Sequence, residues 1–224
     1  MPITVAFFDC ETNGVGPDAA ITCASVADND GNVTSYHSGY GEYMSPAIGT
    51  RLLEDLMMFD RVVTFNGAAF DFKKLFELTQ DDRVKALAKE SVDLMLQFTS
   101  QSGFYSSMDS FAKGTFGGDK SMAKTNTGGW AATAWFQGEG EKVLAYCESD
   151  VKVLKNLYSS GLMRGQLIRV TKQGKSRPWV ISTEPGDNMF KSATNCLADW
   201  VSNPPNTSWM TDPPNLTESL KWWE

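Results

Sequence analysis

The chain has 224 residues, a net charge of −7, and 42% apolar against 21% charged residues, which suits a buried core and excludes disorder. No apolar run approaches the ~18 residues of a membrane span, and the N-terminus lacks the basic and small-residue pattern of a secretory signal, so a soluble, cytoplasmic protein is expected. Cys10, Cys23, Cys147 and Cys196 lie far apart with no C-x-x-C pair, which excludes a zinc knuckle or redox motif and reads as reduced, buried thiols.

Ile3 to Asp9 is a short run of β-formers that opens into Gly14 and Gly16, as a buried strand leading to a loop would. Ile21 to Val26 and Val33 to His37 flank Asn29-Asp30-Gly31, the chemistry of a hairpin turn. Ser45 to Met58 reads as a helix with a Ser cap and Pro46 at its first position. A strand at Arg61 to Phe65 and a helix at Phe70 to Leu78 follow, then a short strand at Ser91 to Met95. Ser107 to Phe116, Trp130 to Phe136 and Glu139 to Ser159 read as helices. The last carries Val143, Leu144, Cys147, Val151, Leu154 and Leu157 close to a 3.6-residue repeat.

Three antiparallel strands followed by strand-helix units predict an α/β fold, a mixed five-stranded sheet with helices on both faces. Beyond Gly161 the character changes. Leu167 to Thr171 and Trp179 to Ser182 flank Lys172-Gln173-Gly174-Lys175, a hairpin with a basic tip, and Met189 to Val201 is an amphipathic helix. A tail interrupted by prolines then carries Trp209, Trp222 and Trp223. The expected division is a catalytic domain over 1–160 and, over 161–224, a hairpin, helix and tail packed on it. Charge divides similarly: 13 Lys/Arg against 21 Asp/Glu give −8 over 1–160, and 7 against 6 give +1 over 161–224.

Residues two apart on a strand share a face, so Asp9 and Glu11 project together. Residues four apart on a helix do likewise, which pairs Tyr146 with Asp150. Asp71 opens the helix after the fourth strand, and it nears Asp9 and Glu11 if that strand lies beside the first. Like charges so gathered raise one another's pKa, and divalent metal relieves them. Carboxylates suit Mg²⁺ or Mn²⁺, and two such ions ~3.5–4 Å apart suit phosphodiester hydrolysis.

These segments resemble the motifs of the DEDD superfamily of 3′–5′ exonucleases in its tyrosine-containing branch. F-D-x-E-T stands at Phe8 to Thr12, N-G-x-x-F-D at Asn66 to Asp71, and Y-x-x-x-D at Tyr146 to Asp150. The likeness covers roughly residues 3–160 and is nearest to the exonuclease domain of family B DNA polymerases and to stand-alone phage and bacterial relatives. His37, the one histidine, lies far from the place that the histidine branch requires. The resemblance implies a ribonuclease H-like fold, two divalent metal ions, and release of 5′-mononucleotides from 3′ ends. It implies that Asp9 bridges both metals, that Glu11 and Asp150 complete the first site, and that Asp71 holds the second, directly or through water. Tyr146 would orient the attacking water, since a phenol with a pKa near ~10 is a poor general base at neutral pH.

Thr12, Asn66 and Lys120 are the expected substrate contacts within the likeness, although Asn66 equally suits a role in its own turn. Lys120 does not sit in a P-loop, because Asp119 stands where glycine is required. Arg169, Lys172 and Lys175, with Arg164 and Arg177, form a stretch without acids that would track a phosphate backbone, or simply be a solvated hairpin. Asp93 reads as a helix cap before a site carboxylate. The expected substrate is single-stranded DNA, with RNA and a catalytically silent nucleic-acid-binding module as the alternatives. Trp222 and Trp223 dock on the body or, if exposed, on a replication or repair partner.

Overall fold

The computed structural model describes residues 3–117, 128–181 and 189–224. Its centre is a five-stranded sheet in the order β3-β2-β1-β4-β5. Strands β1 (Val5–Thr12), β2 (Ile21–Ala27) and β3 (Val33–Tyr36) form an antiparallel meander. Strands β4 (Arg61–Thr64) and β5 (Val92–Asp93) join it in parallel. The turn between β2 and β3 uses Gly31 at φ 89°, where a side chain would be strained.

Side-chain alternation along β1 divides the core. Ala6, Phe8 and Cys10 face helices α1 (Pro46–Leu56), α2 (Asp71–Thr79) and α3 (Arg83–Glu90), meeting Leu52, Leu53, Phe72, Leu75 and Val84. Val5 and Phe7 face the other way, onto α7 (Gly140–Arg164), with Val151, Leu154 and Leu157. Helices on both sides therefore bury a sheet whose central strand is apolar on each face, as expected of an α/β layer structure. Among the described residues no helix is long and apolar enough to cross a membrane.

Several elements differ from the sequence reading. Pairing between β4 and β5 stops at Asp93, because the Asp93 carboxylate accepts the Leu96 N–H at 3.0 Å and starts α4 (Leu94–Ser102). The run expected as a strand to Met95 is thus two residues of strand and the first turn of a helix. Helix α3 was not expected, being short and polar, and it is held by Val84 and Ala88, one turn apart and both buried.

Helices α5 (Met108–Phe116) and α6 (Gly128–Ala134) follow, the latter ending in a 3₁₀ turn at Trp135–Gln137. Strands β6 (Gln166–Val170) and β7 (Ser176–Val180) make the expected hairpin, with β7 starting nearer the tip because Pro178 is tolerated on a two-stranded edge. The hairpin lies on α5: Ser110 Oγ donates to the Val170 carbonyl at 2.7 Å, and a Cβ at Gly114 would fall 2.2 Å from the Ile168 carbonyl. Helix α8 (Ala193–Ser202) starts later than expected because Ser192 caps it, leaving buried Met189 and Phe190 in the core. In the tail, Leu216 and Leu220 of α9 (Leu216–Leu220) and Trp223 are buried in the cluster that holds Phe8 and Phe72. The tryptophan pair packs on the body, and Trp209 is the tail's exposed ring.

Candidate active site

Strand β1 outruns its parallel neighbour. Its register with β4 ends at Phe7↔Val63, whereas its pairing with β2 continues to Thr12. The last residues of β1 therefore form a ledge over the end of the sheet. Asp9 and Glu11 continue the row of Val5 and Phe7, so they face α7. Tyr146 and Asp150 stand one turn apart on α7, 3% and 2% exposed. Carboxylate oxygens of Asp9, Glu11 and Asp150 all lie within 4.8 Å of one another. Glu11 is 7% exposed, so two of the three charges are buried.

Cys147 backs this group from α7, its Sγ 3.5 Å from the Asp9 carbonyl and 3.9 Å from Asp9 Oδ2. Burial first, then the Cys23 thiol, then the charges of Asp9 and Glu11 push its pKa well up. Cys147 is accordingly a protonated donor to Asp9 and not a thiolate ligand.

Asp71 stands beside the group without joining it. With β4 turned away, the Cys10 N–H has lost its strand partner, and Asp71 Oδ1 accepts it at 2.9 Å. This bond ties the first residue of α2 to the strand segment between Asp9 and Glu11. Burial pushes the Asp71 carboxyl up to about 6, with the Cys10 bonds opposing and the nearby Asp93 charge adding. Asp93 is also raised by burial, although it accepts N–H bonds from Asn66 and Ala68, each at 2.9 Å, as well as from Leu96. It is a helix cap and a loop anchor, and Asn66, at φ 72°, shapes the turn that it anchors.

The Thr12 hydroxyl donates to the Gly14 carbonyl, inside its own turn. Lys120 lies outside the described residues. The Arg169 guanidinium lies over the rings of Phe104 and Phe98, at 4.6 and 5.6 Å, and directly across the hairpin from Arg177. Burial and Arg177 pull its pKa down, so packing occupies it as much as charge does. Lys172, Lys175 and Arg177 are exposed.

A ring-lined rim beside the carboxylates was not foreseen. Asn13, two residues past Glu11, donates from Nδ2 to the Tyr43 hydroxyl at 3.1 Å, and Tyr43 packs on Phe136 with centroids 5.0 Å apart. These rings are 50% and 42% exposed. Trp130 meets the Tyr146 ring edge to face at 6.2 Å. The available signal was Tyr40-Gly41-Glu42-Tyr43, a loop with more aromatic surface than a turn needs.

A family model for the RNase H superfamily matches residues 6–161. Among solved structures, the chain is similar to the family B DNA polymerase of the hyperthermophilic archaeon Pyrobaculum calidifontis, with a TM-score of 0.57 and 18% identity. That likeness covers 72% of this chain and 25% of the polymerase, so the chain spans about a quarter of that protein's length. No curated protein sequence matches the chain.

Proposed function

The chain belongs to the RNase H superfamily, and on that premise we propose that it is a metal-dependent 3′–5′ exonuclease of the tyrosine-containing DEDD type. Its substrate is single-stranded DNA or a frayed 3′ end, released as 5′-mononucleotides. The observation that carries this reading is the convergence of the Asp9, Glu11 and Asp150 oxygens within 4.8 Å, with Tyr146 one turn from Asp150. The donor set fits Mg²⁺ or Mn²⁺: every ligand is a hard carboxylate oxygen, and two of the three are buried where cations must offset their repulsion. Two such ions, when bound, supply a water of lowered pKa and neutralise charge on the leaving oxygen.

In this reading Asp9, Glu11 and Asp150 would hold the cations, with Asp9 shared between them, and Asp71 would serve the second directly or through water. Tyr146 positions the attacking water with its hydroxyl, while Trp130 fixes its ring. Tyr43 and Phe136 offer faces on which unpaired bases stack. Thr12 and Asn66 border the strand end, and Lys120, Arg169, Lys172 and Lys175 supply positive charge for the backbone.

A time course on 5′-labelled single-stranded DNA with Mg²⁺, Mn²⁺ or EDTA tests the proposal, with matched RNA and Asp9→Ala alongside. The expected result is a ladder shortening from the 3′ end that EDTA and the substitution both abolish. Faster cleavage of RNA would move the substrate, and no cleavage of either polymer would leave a binding module.

A further inference from the structure

We infer that Trp222 is a positioning residue for Asp71, so that the C-terminal segment is part of the active-site scaffold; this rests on the exonuclease reading above. The indole Nε1 of Trp222 donates to the Ala68 carbonyl at 3.0 Å, across 154 residues of chain. Ala68 lies in Asn66-Gly67-Ala68-Ala69-Phe70-Asp71, the loop that delivers Asp71. Its carbonyl is available because the Phe72 N–H bonds one residue earlier, to the Gly67 carbonyl at 2.9 Å. The indole ring also packs on Phe76 of α2, with centroids 6.0 Å apart.

The loop is a conformation that needs outside support. Asn66 is left-handed at φ 72°, a conformation that asparagine tolerates better than other residues with a Cβ but that still favours glycine. Gly67 is pressed against Thr64 so closely that a Cβ would sit 2.5 Å from the Thr64 Cβ. Asp93 takes the N–H groups of Asn66 and Ala68 on one side, and Trp222 takes the Ala68 carbonyl on the other. Ala68 is thus held through both of its peptide groups. Three residues on, Asp71 reaches Cys10 between Asp9 and Glu11. A displacement of the loop passes directly into the distance between Asp71 and the three carboxylates, and catalysis is steeply sensitive to such shifts.

Trp223 supplies the control, since it is buried in the same core while Trp222 makes the bond to the loop. The test compares wild type, Trp222→Phe and Trp223→Phe for kcat, oligonucleotide KM, the Mg²⁺ concentration for half-maximal rate, Tm, and amide exchange over residues 66–71. Trp222→Phe is expected to lower kcat about tenfold, leave KM within about twofold, raise the Mg²⁺ requirement, and speed exchange of the loop. Trp223→Phe is expected to lower Tm and leave kcat and loop exchange as they were. Trp222→Tyr repeats the comparison should the phenylalanine variant not fold. Unchanged kcat and exchange in the Trp222 variant, or an equal kcat loss in the Trp223 variant, would overturn the inference. If wild type cleaves neither DNA nor RNA, the exonuclease reading falls, and loop exchange alone decides the positioning role.

Discussion

Replacing Asp71 by Asn should make the metal-free protein more stable at neutral pH while removing its activity. The Asp71 carboxyl is raised by burial from 3.8 to about 6. The sign follows from which state keeps the proton: well below pH 3.8 both states are protonated, and between 3.8 and about 6 the unfolded chain ionises while the folded chain does not. Stability therefore falls as pH rises through this window, by about 3 kcal/mol for a shift of about two units. Asn is neutral throughout, and its oxygen still accepts the Cys10 N–H that Asp71 Oδ1 accepts at 2.9 Å. For a domain of this size the difference is about 6–12 °C in Tm. The assay is thermal unfolding in EDTA at pH 4 and pH 7.5. Tm values within about 1–2 °C of each other are expected at pH 4, and the variant should melt well above wild type at pH 7.5. A variant that melts no higher at pH 7.5, or by the same margin at both pH values, would refute the burial argument. Mg²⁺ should stabilise wild type more than the variant, because binding to the folded state alone raises stability.

Asp150→Asn should cut kcat on the order of 10³-fold with little effect on folding, measured by single-turnover cleavage and circular dichroism, since fixed charges at the reacting centre supply the largest share of transition-state stabilisation. Phe136→Ala and Tyr43→Ala should each raise KM for single-stranded DNA about 5- to 100-fold, from a stacking contribution of about 1–3 kcal/mol per base, and leave kcat unchanged; a kcat effect without a KM effect would count against the platform. Gly114→Ala should cost about 1–3 kcal/mol by overpacking, because its Cβ would meet the Ile168 carbonyl at 2.2 Å; denaturant titration reads it. Asp93→Ala removes a helix cap and strands the N–H groups of Asn66 and Ala68, which should lower stability by about 2–4 kcal/mol.

Local periodicity carried much of the site. Asp9 and Glu11 share a face because strands repeat every two residues, and Tyr146 and Asp150 because helices repeat every 3.6, so neither pairing needed tertiary information. The same rule failed at Val92 to Leu96, where an apolar run fits a strand or a buried helix equally and the Asp93 cap decides. Arg169 shows what such patterns leave out: Phe98 and Phe104 from elsewhere in the chain lie beneath its guanidinium, a contact that its own basic stretch does not announce.

What the sequence alone determined is the α/β class, the order of the main strands and of the helices that flank the site, and which acidic side chains face together within each element, because these follow from short-range backbone geometry. Tertiary structure alone decided three further matters. Asp71 stands beside the three-carboxylate group, held by Cys10, because β4 ends early and leaves that N–H open. Tyr43 and Phe136 meet at the rim, and Trp222 reaches Ala68, because packing brings together residues 93 and 154 positions apart. Such contacts are set by how whole layers pack, and no local pattern encodes them.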